Sequence, residues 1–190
     1  MRCVVAVLVL SLLLCVTIHA APIQWEGNDH WYEIVGTDAP LDWEEAQSQA
    51  DDRGGYLVSL NSEEENFFVW RTVWDQGELY GNNYWLGGYR VSDENGYTED
   101  WAWDSGEEWD FDKWFWTEPN NHGGRQNYLH YYYIYYWDDM HNGDRRMRGY
   151  VVEYDHDPTA GAVPEPGTLM LLGTGLLGLL GMGRQSRRSR

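Results

Sequence analysis

Residues 118–139 read E-P-N-N-H-G-G-R-Q-N-Y-L-H-Y-Y-Y-I-Y-Y-W-D-D, and their order decides how the rest of the chain is read. Glu118 and Asn120 flank Pro119, whose ring fixes one backbone torsion and so holds two oxygen-bearing side chains on a stiff segment. Proline also admits a cis peptide bond at low cost, and a cis Glu118–Pro119 bond would reverse the chain and turn both side chains toward one point. Gln126 adds an amide oxygen. Asp138 and Asp139 add two adjacent carboxylates after a long aromatic run. All five donors are oxygen, three carry a formal charge, and no cysteine lies nearby. Such a set suits a hard cation, and Ca²⁺ accepts the irregular geometry of a loop more readily than Mg²⁺ does.

E-P-N, a later Gln126 and then Trp137-Asp138-Asp139 together resemble the carbohydrate-binding calcium site of the C-type lectin-like domain, in its mannose-type form. The resemblance implies an α+β fold, with two helices flanking antiparallel β-sheets and a long calcium-binding loop. It implies a Ca²⁺ ion held by Glu118, Asn120, Gln126, Asp138 and Asp139, the same side chains bonding two neighbouring sugar hydroxyls of the mannose or glucose type. Two positions depart from the family, which usually has Glu at the place of Gln126 and Asn at that of Asp138. One charge is lost and one gained. Tyr84-Trp85-Leu86-Gly87-Gly88 resembles the family's W-I-G-L strand, and Trp101 to Gly106 with Trp114 match the aromatic and turn positions before its loop. The family's disulfides would join the positions of Ala50 and Val152, and those near Tyr128 and Asn142. Asn121 and Asn127 stand where a second ion would need acids, so one ion is expected, although Asp93 and Glu99 lie in a nearby loop.

The two ends of the 190-residue chain speak for export. Residues 1–20 carry Arg2, an apolar run and small residues at Ala20 and Ala21, the pattern of a signal peptide. Both cysteines, Cys3 and Cys15, lie within it. Leu14 is bulkier than a lipoprotein anchor at Cys15 would accept. Beyond a domain at 22–157, a linker at 158–166 holds Pro164-Glu165-Pro166. It is followed by a short hydrophobic transmembrane segment at 167–183 and a basic cytoplasmic tail at 184–190. These three parts in this order resemble a PEP-CTERM sorting signal of Gram-negative bacteria that secrete exopolysaccharide. The resemblance implies processing by an exosortase, transient anchoring in the inner membrane, and a final place at the cell surface or in the extracellular matrix.

Charge narrows the partners. Five of the thirteen basic residues and one of the thirty-one acidic residues, Glu165, sit in the ends, leaving eight against thirty, a formal charge of −22. That surface repels phosphate backbones, so no nucleic acid is expected; cations and carbohydrate fit it better. No Ser-His-Asp or Cys-His arrangement is visible and acidic pairs are too common to single out, so an enzyme is not expected. His122, His130 and His141 read as surface or strand residues, since no spacing pairs them for zinc. A structural or protein-binding domain on the same fold is the alternative, supported by the changes at Gln126 and Asp138.

Within the domain, His30–Val35 reads as a strand and Asp42 as the cap of a helix, with Glu45 three residues on and Trp43, Ala46 and Ala50 on one face. Tyr56–Leu60 reads as a short strand. Ser62 and Glu65 repeat the capping spacing ahead of a second helix, where Phe67, Trp70 and Trp74 are expected to form a buried stripe. Tyr128–Trp137 is expected to be one central strand. Tyr150–Tyr154 should be the last strand and should pair with the first.

Overall fold

The computed structural model describes residues 21–75, 83–94 and 96–160. Among the described residues two α-helices and eight strands occur in the order β1 (Ile23–Gln24), β2 (Trp31–Gly36), α1 (Trp43–Asp52), β3 (Tyr56–Leu57), α2 (Glu63–Asp75), β4 (Asn83–Asp93), β5 (Gly96–Trp103), β6 (Gln126–Tyr131), β7 (Trp137–His141) and β8 (Met147–Tyr154), with a 3-10 turn at His122–Gly124 before β6. The sheet runs β1-β2-β8-β4-β6-β7, with β3 added to β8 and β5 to β4. The α+β class therefore holds, but as one mixed sheet: β4 and β8 pair in parallel while the other ladders are antiparallel. As expected, the first long strand pairs with the last, Trp31 opposite Tyr154 and Gly36 opposite Gly149. The segments read as a signal peptide, a transmembrane segment and a basic tail lie outside the described residues. Among the described residues no helix is long and apolar enough to cross a membrane. By its contacts the chain divides into the units Met1–His156 and Asp157–Arg190.

Alternation along the strands explains why both sheet faces are covered. Ile34, Leu86 and Val151 join one core with Val69 of α2; Val35, Trp85 and Val152 join the other with Trp43, Ala46 and Ala50 of α1. The two indoles that bind α1 to the sheet also satisfy their polar edges: Trp43 Nε1 donates to the Leu86 carbonyl at 2.8 Å and Trp85 Nε1 to that of Leu41 at 3.0 Å. Gly87 is required between them. A Cβ there would stand 2.3 Å from the Leu57 carbonyl oxygen, where β4 passes beneath β3.

Three local expectations are corrected and one is borne out. Asp42 occupies the N-cap but makes no capping bond; Trp43 N is taken instead by Asn142 Oδ1, 2.8 Å away. Packing of the helix start against the β7–β8 loop supplied a tertiary acceptor in place of a local one. Phe67 is half exposed and outside the core, because Val69 and the partly buried Phe68 and Trp70 face inward from α2. The side chain of Trp74 lies outside what is described. Tyr128–Trp137 is two strands, not one: Tyr132 N bonds Tyr136 O and the chain reverses, so that Tyr131 pairs with Trp137 across the hairpin. Ser62 does cap α2, accepting from Glu65 N at 3.2 Å, while Glu65 reaches back to Asn61 N at 2.8 Å.

A buried acid network joins the ends of the domain. Glu153 on β8, fully buried, accepts from Ser59 N at 2.9 Å and contacts His30 Nδ1 at 2.6 Å. The Tyr32 hydroxyl donates to Glu65 at 2.6 Å and lies 3.3 Å from Glu153. Burial pushes the Glu153 carboxyl up from 4.5 to about 7, and the hydrogen bond to Glu153 raises His30 above its ordinary value. Native Glu153 thus keeps its proton across a window in which the unfolded chain has released it, so stability falls as pH rises through that window. His30 acts in the same sense. We expect unfolding free energy to drop by about 1 kcal/mol from pH 6 to pH 8 through Glu153 alone. Urea melts in chelator at the two pH values measure it, and Glu153→Gln should flatten the dependence.

Candidate metal centre

The site forms where a proline turn meets an interior strand. The Glu118–Pro119 peptide is cis, and Phe115 N and Trp137 N bond the Trp137 and Lys113 carbonyls at 2.8 and 2.9 Å, fastening the approach to β7. Tryptophans hold the rest of that approach: Trp103 stacks on Trp109 at 4.3 Å, and Trp109 and Trp114 meet Trp137 edge to face at 5.8 and 5.9 Å. After the turn, Asn121 takes a left-handed conformation with φ 46°, which asparagine tolerates better than most residues. Its side-chain oxygen accepts from Gln126 N at 3.1 Å, closing the loop as β6 begins.

Asp139 organises this loop from below. It is fully buried; Oδ1 accepts from Asn120 N at 3.1 Å, and Oδ2 from Asn121 N and Arg90 Nη2, both at 2.9 Å. Gln126 clasps the same region, its amide donating to the Asp139 carbonyl and accepting from His122 N. Glu118 Oε2 accepts from Asn120 N at 3.1 Å. Of the five residues singled out by sequence, Glu118, Asp138 and Asp139 bring one carboxylate oxygen each within 4.8 Å of the others. Asn120 is present at the turn through its backbone. The Gln126 amide faces protein partners on both of its atoms.

Three carboxylates so close leave charge to be matched. Burial and the neighbouring Asp138 push the Glu118 carboxyl up to about 7, and burial raises Asp139 against the opposing pull of two amides and Arg90. Among the described residues, Asp138 Oδ1 is buried with no hydrogen-bond partner, and so is the Nε2 of His130, 3.5 Å from Asp138 Oδ2. An orphaned carboxylate oxygen beside a Glu118 carboxyl raised by burial and by that neighbour fits a hard cation at Glu118 and Asp138, where carboxylate oxygens outnumber the one ring nitrogen nearby.

Two participants escaped the sequence. Arg90 is fully buried in β4, bonded to Asp139, to Glu99 at 3.0 Å, and at 3.4 Å to the Thr98 and Gln126 carbonyls, with its guanidinium 4.9 Å from the Trp101 ring centre. An arginine at the end of the uncharged run Tyr84–Tyr89, in so acidic a chain, was the available signal. His130 is a strand residue of β6, as one of its two readings had it, and is fully buried opposite Asp138.

Paired terminal strands, a tryptophan-anchored loop and an acidic cluster at a cis-proline turn define the C-type lectin-like class of domain. The chain belongs to that family: the lectin C-type domain model matches residues 39–147, over half the chain. Residues 162–188 match the PEP-CTERM protein-sorting motif, which makes this an exported lectin-like protein. A lectin of Pleurodeles waltl is 30% identical over 90 residues, covering 46% of this chain and 49% of its own; the chain spans about half the length of the curated relatives it matches. The carbohydrate-recognition domain of cow CD23, solved in the presence of an oligosaccharide, is 22% identical with a TM-score of 0.59, over 70% of this chain and 92% of that one. A calcium-independent type II antifreeze protein, 18% identical, shares the fold with a TM-score of 0.53 over 72% of this chain and 98% of its own.

Removing one partner of a fully buried ion pair strands the other charge, at a cost of about 3–5 kcal/mol. Arg90→Met should therefore lower unfolding free energy by about that much in chelator, and speed amide exchange at Asn120 and Asn121. Urea melts and hydrogen-exchange mass spectrometry read the two effects; an unchanged melt would show that Arg90 does not hold the loop.

Proposed function

We propose that this exported protein binds carbohydrate through one Ca²⁺ ion, held by Glu118 and Asp138 with Asn120, in a loop positioned by Asp139 and Gln126. The observation carrying this reading is the unpartnered Asp138 Oδ1 in a cluster where Glu118, Asp138 and Asp139 bring carboxylate oxygens within 4.8 Å of one another, with burial and then the Asp138 charge pushing the Glu118 carboxyl up. When bound, the ion would supply open coordination positions for two adjacent sugar hydroxyls. Glu118 and Asn120 would accept from and donate to those hydroxyls. The E-P-N order supports sugars of the mannose or glucose type. The sorting motif supports exosortase processing and residence at the surface or in the extracellular polysaccharide of a Gram-negative bacterium. In this arrangement residues 1–20 are a signal peptide, 22–157 the binding domain, 158–166 a linker, 167–183 a transient membrane segment and 184–190 a cytoplasmic tail.

One observation favours a second reading, a structural or protein-interaction domain without metal. Asp139 and Gln126 already have protein partners, so the loop keeps its shape through Arg90 without an ion.

Calorimetry of the purified full chain separates the two. Calcium should bind once, with a dissociation constant on the order of 10⁻⁴ to 10⁻³ M as in extracellular modules. Glu118→Gln or Asp138→Asn should weaken it at least about tenfold, each removing a charged oxygen. Asp138→Asn with Gln126→Glu tests the alternative ligand set: recovery of affinity would place position 126 on the ion, and no recovery would leave it a loop clasp. Methyl mannoside should then bind only with calcium present. No calcium heat at millimolar concentration would leave the metal-free reading.

A further inference from the structure

A ribbon of aromatic side chains leads away from the acidic cluster across the outside of the domain. Next to Asp138, His130 contacts the Tyr132 ring at 6.2 Å. Tyr132 packs on Phe115 at 5.3 Å, and Phe115 also meets Tyr133 and Tyr136 at 5.6 and 6.0 Å. Tyr136 stacks on Tyr135 at 5.0 Å, which reaches Phe67 on α2 at 5.9 Å. Much of this ribbon faces solvent: Tyr132, Tyr133, Ile134 and Phe67 are 43–57% exposed. Trp116, two residues before Glu118, is 90% exposed.

Backbone strain accompanies that exposure. Trp116 and Ile134 have φ of 34° and 54°, a region that bulky and β-branched residues avoid. Each such residue costs on the order of 1 kcal/mol or more, and burial of these two does not offset it. Trp116 sits on the loop before Glu118 and Ile134 at the tip of the β6–β7 hairpin, and both turn apolar side chains outward.

We propose that this ribbon is a second carbohydrate subsite, stacking on the C–H faces of neutral pyranose units in a polysaccharide whose neighbouring unit sits at Glu118 and Asp138. The proposal rests on the carbohydrate reading of the domain but not on its calcium. Three observations select this occupant. Its first exposed ring, Tyr132, packs on the buried His130 that faces Asp138, which sets the ribbon beside the acidic cluster. The domain's negative charge disfavours acidic polymers and anionic surfaces. Tyrosine hydroxyls beside the ring faces offer hydrogen bonds to sugar hydroxyls that an aliphatic patch would lack.

Native gel electrophoresis of the full chain through konjac glucomannan, in calcium or in EDTA, tests it. Glucomannan should retard the protein under both conditions. Trp116→Ala and Tyr133→Ala should each weaken retardation about two- to tenfold in EDTA, the effect of losing one aromatic contact. Their melting temperature and calcium heat should stay unchanged, since both side chains are exposed. Glu118→Gln should keep the EDTA-resistant retardation and lose any increment that calcium adds. The proposal is overturned if the wild type is not retarded in EDTA, or if the two alanine variants run as the wild type does. Sedimentation velocity adds a third decisive outcome: variants that turn an oligomer into a monomer would mark the ribbon as a surface between copies. Loss of calcium heat in the wild type with EDTA-resistant retardation intact would retire the metal reading and leave this one standing.

Discussion

The Asp139 carboxylate with the guanidinium of Arg90 is the contact on which the loop depends. Both side chains are fully buried, so neither charge is relieved by water, and each keeps its place only through the other and the groups around them. Asp139 spends its oxygens on Arg90 and on the amides of Asn120 and Asn121, the two residues after the cis proline. Arg90 in turn binds carbonyls of β5 and β6 and lies over Trp101. One ion pair thereby ties four strands to the turn, and leaves Glu118 and Asp138 as the carboxylates whose charge the protein has not matched.

Packing does what the family elsewhere does with disulfides. Ala50 and Val152, at the positions where a long-range bridge would lie, are both fully buried in the core between α1 and the sheet. The tryptophans around Trp137 pin the long approach to the loop, where bulky rings combine large buried area with favourable edge-to-face geometry. The buried Glu153, Glu65, Tyr32 and His30 network does the corresponding work at the opposite strands, joining β2, α2 and β8 by hydrogen bonds. That network is sensitive to protonation because its carboxyls are dry.

Most of the fold was legible because local signals agreed with burial. The Trp43, Ala46 and Ala50 spacing marked α1, the Tyr84 to Gly88 run marked β4, and Tyr150 to Tyr154 marked β8, whose pairing with β2 followed from the family resemblance. The failures have one cause. Asp42 looked like a cap, Phe67 like core and Tyr128 to Trp137 like one strand, yet each outcome was set by contacts that local pattern does not contain: Asn142 for the helix start, the packing of Val69, Phe68 and Trp70 on the core for the face of α2, and the Tyr131–Trp137 pairing for the hairpin.

At the site, sequence by itself determined the chemistry on offer: five oxygen donors, a proline that can set a cis turn, and a charge balance suited to cations. Only tertiary structure decided how those donors are shared. Asp139 and Gln126 went to the loop because Arg90, from a strand 49 residues away, and the amides of the turn reached them first. Asp138 kept an unpartnered Oδ1, with His130 Nε2 3.5 Å from its other oxygen and itself without a hydrogen bond among the described residues. Composition fixes which groups can bond, but the choice among equivalent oxygens is made by distance and desolvation, which exist only once the strands have come together.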